Sequence, residues 1–124
     1  MYVGVRDLDN FEKLIFSKYC IKHITAKDFE KDKDNSLSKI LDFVGKSPLH
    51  LSFDVDSITP TEVPSTGTPV PGGLTTKNVK ELFSYLKNCD LVNMDVVEFN
   101  PKISSDVDVI RTQKNIEAIV EKVF

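Results

Sequence analysis

Tryptophan is absent from this chain, and cysteine, histidine and glycine are scarce, with two, two and five copies in 124 residues. Cys20 and Cys89 lack CxxC spacing and a secretory context, so they read as reduced thiols, neither a disulfide framework nor a catalytic pair. There is no apolar run of the roughly eighteen residues a membrane helix needs, and no charged, cleavable leader. The expected location is the cytoplasm, with no membrane partner. Basic blocks are missing too: 16 Lys and Arg stand against 19 Asp and Glu, for a net charge of −3. Lys77, Lys80 and Lys87 are spaced as on a solvated helix face, and no nucleic-acid partner is expected. No internal repeat is visible.

What is present, with 40% hydrophobic and 28% charged residues, reads as soluble and globular, and residues 1–124 are one domain's worth of α/β chain at most. Tyr2 to Val5 predicts a short strand, and Asp9-x-x-Glu12 a capping box opening a helix to about Tyr19. Ile21 to Ile24 is a weak strand, after which Thr25 and Asp28 cap a short helix that stops in the charged stretch Lys31 to Asn35, read as a solvated loop. Leu37, Ile40, Leu41 and Val44 keep helical spacing, with Gly45 at the C-cap. Leu49 to Val55 is a third strand. Thr75 or Thr76 caps a helix carrying Val79, Leu82, Phe83 and Leu86, Leu91 to Glu98 is a fourth strand, and a terminal helix begins near Ser105. Strands alternating with helices predict a three-layer arrangement around a mostly parallel sheet, with ligands bound beyond the carboxyl ends of the strands.

Ser52-Phe53-Asp54-Val55-Asp56 places two acids where a core strand should not have them. Desolvating a carboxylate is costly unless it is paired or bound to a metal. Residues two apart on a strand share a face with Cα atoms roughly 6.5 Å apart, so both carboxylates can converge on one or two hard divalent cations. A bare Asp-x-Asp serves equally well to end a strand on water or backbone amides. Glu98 ends the next strand, which would bring three acids to one edge of the sheet. His50 shares strand parity with Asp54 but lies about 13 Å away along it, too far to share an ion, so His23 and His50 both read as structural. The loop Pro60 to Gly73 is rich in proline and glycine; its place between a strand and a helix of one sheet favours a stiff pocket wall over a linker.

Ser52-Phe53-Asp54-Val55-Asp56, then Pro60, Thr66-Gly67-Thr68-Pro69, Gly72-Gly73-Leu74 and Asp95-Val96-Val97-Glu98-x-Asn100-Pro101 together resemble the carboxyl-terminal half of an arginase, a ureohydrolase. Val3-Gly4-Val5-Arg6-Asp7-Leu8-Asp9 resembles another arginase segment. The resemblance implies manganese-dependent hydrolysis of L-arginine to L-ornithine and urea at a two-manganese site. On it, Asp54 bridges two Mn2+ ions, Asp56 binds one of them, Glu98 holds the guanidinium group and Thr68 lies beside the substrate. The His and Asp-x-His-x-Asp motifs that complete such a centre have no counterpart here, so the resemblance implies a chain that supplies part of the site and is inactive alone. The resemblance implies a further copy as partner, a trimer in the family, but Lys77-Asn78 depart from the Arg-Glu pair that some arginases use in trimer contacts. The other readings are a non-catalytic metal-binding or assembly fragment, and a related ureohydrolase, agmatinase or formiminoglutamase.

Overall fold

All 124 residues are described by a computed structural model, in which parallel strands are flanked by helices. The order is β1 (Tyr2–Val5), α1 (Asn10–Lys18), β2 (His23–Thr25), α2 (Ala26–Lys31), α3 (Lys33–Val44), β3 (Leu49–Asp54), α4 (Thr76–Leu86), β4 (Leu91–Val97) and α5 (Asp106–Val120). β1 pairs with β2 and β3 with β4, both in parallel, but no ladder joins β1 to β3. The expected parallel sheet is therefore present as two pairs of strands, with an apolar cleft between them. No helix is long and apolar enough to cross a membrane.

Local chemistry sets the helix starts. Asp9 accepts from the Glu12 N–H at 2.7 Å while the Glu12 carboxylate accepts from the Asp9 N–H at 2.8 Å, a complete capping box for α1. Thr25 and Asp28 repeat the device at α2, and the Thr25 hydroxyl and N–H hold the Asp28 carboxyl below its ordinary value. The stretch Lys31 to Asn35 is not a loop. The helix breaks only at Asp32, which ends α2 and caps α3 by accepting from the Asn35 N–H at 3.2 Å. Lys33 is not simply solvated either, because its Nζ lies 2.7 Å from Glu81 of α4, which raises the lysine pKa.

One hydrophobic core runs through the helices and both strand pairs. Phe29, Ile40 and Val44 of α2 and α3 meet Val79, Leu82, Phe83 and Leu86 of α4 and Ile119 of α5. β3 contributes Phe53, 4% exposed, whose ring packs edge-on against Phe83 at 5.1 Å. Alternation along the strand then turns Ser52 and Asp54 away from this packing. β4 is paired on one side only, with β3, and Val92, Val96 and Val97 along it are exposed.

Candidate metal and substrate site

Strand β3 stops at Asp54, and Val55–Ser57 form a single 3-10 turn, so Asp56 is not on the strand. The two carboxylates converge through that turn and not through strand parity. The Asp56 N–H donates to Asp54 Oδ1 at 3.1 Å, which closes the turn and leaves both acids lining one cavity of about 520 Å³. Burial raises the Asp54 carboxyl above its ordinary value; the Asp56 N–H partly opposes this, and the charges of Asp56 and Glu98 add to the rise. The carboxylate is thus held partly desolvated beside like charges.

The structure adds acids that the sequence reading left out. Asp7 and Glu12 line the same cavity, so its wall carries four carboxylates and one guanidinium, that of Arg6. Glu12 was legible only as a capping residue. It does cap α1, and the same helix start brings it to the cavity rim. Asp7 lies just past the end of β1, where the parallel-sheet rule places ligand-facing residues.

Loop Ser57 to Leu74 forms the opposite wall. It is closed at its base by a parallel bridge between Ile58 and Leu74, with Leu74 N–H donating to Ser57 O at 2.9 Å and Thr59 N–H to Leu74 O at 2.9 Å. Arg6 ties it to β1, donating from Nε to the Val70 carbonyl at 3.0 Å and from Nη2 to the Asp56 carbonyl. Thr68 is exposed at the rim, with its hydroxyl 3.5 Å from Asp56 Oδ2. Three contacts from little more than one turn of α5 fix the first half of the loop: Arg111 reaches the Thr61 carbonyl, Thr112 Oγ1 accepts from the Ser65 N–H at 3.1 Å, and Asn115 donates to the Glu62 carbonyl at 2.8 Å.

Glu98 directly follows β4. It is exposed and does not line the cavity, although its charge is felt by Asp54. Its φ of +68° is the left-handed region that non-glycine residues adopt at a cost of about 1–3 kcal/mol. The neighbouring loop holds it there, through an antiparallel bridge between Thr66 and Phe99 and the Asn100 N–H donating to the Ser65 carbonyl at 2.9 Å. Ser65 thus links α5, the loop and the Glu98 segment. His50 is elsewhere, paired with Asp95 at 2.8 Å on the open face of β3 and β4. Both partners are half-exposed, a geometry worth at most about 1 kcal/mol.

Thr112 is fully buried and is the acceptor for a buried backbone N–H, so Thr112→Val should cost about 1–3 kcal/mol, whereas Thr112→Ser should retain most of the stability. Chemical denaturation of both variants checks this. Equal stability of the valine and serine variants would mean that the hydroxyl is not what holds Ser65.

The arginase family profile matches residues 1–123. This chain belongs to the arginase family. It is 34% identical over 127 residues to the arginase of Entamoeba histolytica, covering all of this chain and 42% of that protein. It is 33% identical over 124 residues to human Arginase-2, mitochondrial, covering 94% of this chain and 34% of that one. The crystal structure of the Entamoeba histolytica arginase in complex with L-ornithine superposes with a TM-score of 0.83, 33% identity, and coverage of 97% of this chain and 42% of that one. The native Bacillus caldovelox arginase does so with a TM-score of 0.87, 26% identity, and coverage of 98% and 41%. The chain therefore spans about a third to two-fifths of the length of these arginases.

Proposed function

We propose that this chain contributes part of a manganese-dependent L-arginine hydrolase centre, in the cytoplasm, with Asp54 and Asp56 as metal ligands and Glu98 and Thr68 on the substrate side. The observation that carries the reading is the pair of adjoining carboxylates, Asp54 held partly desolvated against Asp56, in a cavity whose wall is acid-rich. Such a donor set fits a hard divalent cation, because hard cations take carboxylate oxygens and offset the repulsion that the pair otherwise suffers. The fit is partial: no three acid, histidine or cysteine side chains converge on one point in this chain. When bound, the ions would supply a hydroxide at neutral pH from coordinated water.

The remaining roles fall to the chain's own groups. L-arginine is cationic at its guanidinium and at its α-amine, and the four carboxylates of the cavity attract both ends. Glu98 would accept guanidinium N–H groups in a charge-assisted pair, its backbone pre-set by the Thr66–Phe99 bridge. Arg6 serves the wall and not the substrate, since its Nε and Nη2 are already donated to carbonyls. Thr68 can donate to an Asp56 oxygen and so hold that carboxylate's orientation. A homotrimer belongs to the same proposal.

The test is a chimera in which these 124 residues replace the matching part of the Entamoeba histolytica arginase. Manganese-dependent urea release from L-arginine is expected, with agmatine a poor substrate, and Asp54→Ala in that chimera should lower kcat by about 100-fold or more. A folded chimera that binds manganese but releases no urea, or that prefers agmatine, would contradict the proposal.

A further inference from the structure

We infer that Thr112, on α5 and outside the acid-lined cavity, is a positioning residue for Glu98: its hydroxyl fixes a backbone staple that keeps Glu98 in the left-handed region. Glu98 is where the chain changes partner. Val97 is in register with Asp54 in the parallel ladder of β3 and β4, whereas Phe99, two positions on, is bridged antiparallel to Thr66. The single residue between these flanks absorbs the change of direction, and its φ is +68°. A glutamate has no steric preference for that conformation, so it persists only while both flanks are held.

β3 holds the first flank, and Ser65 and Thr66 hold the second. The Ser65 carbonyl accepts from the Asn100 N–H at 2.9 Å, beside the Thr66–Phe99 bridge. Ser65 is itself held from α5, where Thr112 Oγ1 accepts from its N–H at 3.1 Å. Ser65, Thr66 and Thr112 are 0%, 2% and 0% exposed, so water does not replace that acceptor if it is removed. The Ser65 hydroxyl is buried without a hydrogen-bond partner, so at Ser65 the staple works through backbone groups alone. Arg111 and Asn115 contact Thr61 and Glu62, earlier in the loop, and do not reach it.

The same segment also leads towards the acid pair, but less firmly. Thr68 lies 3.5 Å from Asp56 Oδ2, yet Gly67 and Thr68 are exposed, and a Cβ on Gly67 would meet nothing within 4 Å. A displacement at Ser65 is therefore passed to Glu98 through buried, hydrogen-bonded backbone and is absorbed at Gly67 before it reaches Asp56. Removing the Thr112 hydroxyl should disturb the guanidinium side of the site and leave the metal side unchanged. That functional consequence rests on the role proposed above for Glu98; the backbone staple does not.

The test compares Thr112→Val, Thr112→Ser, Ser65→Ala and, as a buried apolar change on the same helix, Ile119→Val. In the 124-residue chain, NMR reads the strong NOE between the amide and α protons of Glu98 that a left-handed φ produces. It should fall about twofold or more in Thr112→Val and persist in the other three variants. In the Entamoeba histolytica chimera, kcat/KM for L-arginine should fall about tenfold or more in Thr112→Val and stay within about threefold of the parent in Thr112→Ser, with the manganese requirement unchanged in both. Thr112→Cys, of similar size but with a weaker acceptor, should lie between them, and it carries the test if the valine variant does not fold. An NOE retained in Thr112→Val, an equal loss in Ser65→Ala or Ile119→Val, or a shifted manganese requirement would overturn the inference. A lost NOE with unchanged kcat/KM would uphold it and count against the substrate role of Glu98 alone.

Discussion

Phe53→Ala is expected to lower stability by about 3–5 kcal/mol, a loss comparable to the whole folding free energy of many small domains. Phe53 is 4% exposed and its ring meets Phe83 edge-on at 5.1 Å, so truncation removes apolar burial and an aromatic pair together. It also leaves a cavity that β3 and α4 can close only by moving together. The effect should reach the site, because Phe53 anchors the face of β3 that turns Asp54 towards the acid-lined cavity. Urea denaturation followed by circular dichroism measures the loss. A cost below about 1 kcal/mol would mean that β3 is not held by this contact.

The second large effect is expected at Gly73. A Cβ there would lie 2.6 Å from the Ile58 carbonyl carbon, 2.7 Å from Ser57 O and 2.7 Å from Thr59 N, all backbone atoms that cannot swing aside. Gly73→Ala should therefore break the Ile58–Leu74 bridge at the loop base and cost about 1–3 kcal/mol or more. Gly67, with nothing within 4 Å of a built Cβ, is the matched control, and its alanine variant should stay within about 0.5 kcal/mol of the parent. Limited proteolysis between Pro60 and Gly73 gives a second readout, with faster cleavage expected only in the Gly73 variant. Equal behaviour of the two variants would show that the loop is not closed at its base.

Elements whose signals are local were legible in the sequence. The capping boxes at Asp9 and Thr25, the Ser105 cap and the helical spacing of Val79, Leu82, Phe83 and Leu86 each depend on residues three or four apart. The stretch Lys31 to Asn35 also carries a local signal, Asp32 capping α3 at the Asn35 N–H, which its run of charges disguises; only the pairing of Lys33 with Glu81, 48 positions away, lies beyond periodicity. Strand parity predicts that Asp54 and Asp56 converge, but they do so by another route: the chain turns after Asp54 and uses Asp54 Oδ1 to hold the turn. Asp7 and Glu12 were missed as cavity residues because β1 and β3 are distant in sequence and no ladder joins them. The division into two strand pairs follows from long-range pairing, which alternation of strands and helices leaves open.

The acid pair also predicts a conflict between stability and function. With its carboxyl raised above the ordinary value, Asp54 destabilises the metal-free fold as pH rises from the unfolded-state value through the folded one. Asp54→Asn should accordingly raise the melting temperature of the metal-free chain at neutral pH. A lower melting temperature would show that the turn-closing bond to the Asp56 N–H outweighs the burial.

If Asp54 and Asp56 form one end of a divalent-metal centre, substoichiometric Mn2+ should broaden the amide NMR spectrum around them by its paramagnetism. Weak binding suffices for this measurement, and a partial ligand set should give no more. Broadening is expected to centre on residues 54 to 57, extend to Asp7 and Thr68 across the cavity, and vanish in the Asp54→Ala, Asp56→Ala double variant. Broadening confined to exposed acids such as Asp32, Asp34 and Asp106, unchanged in the double variant, would contradict the account.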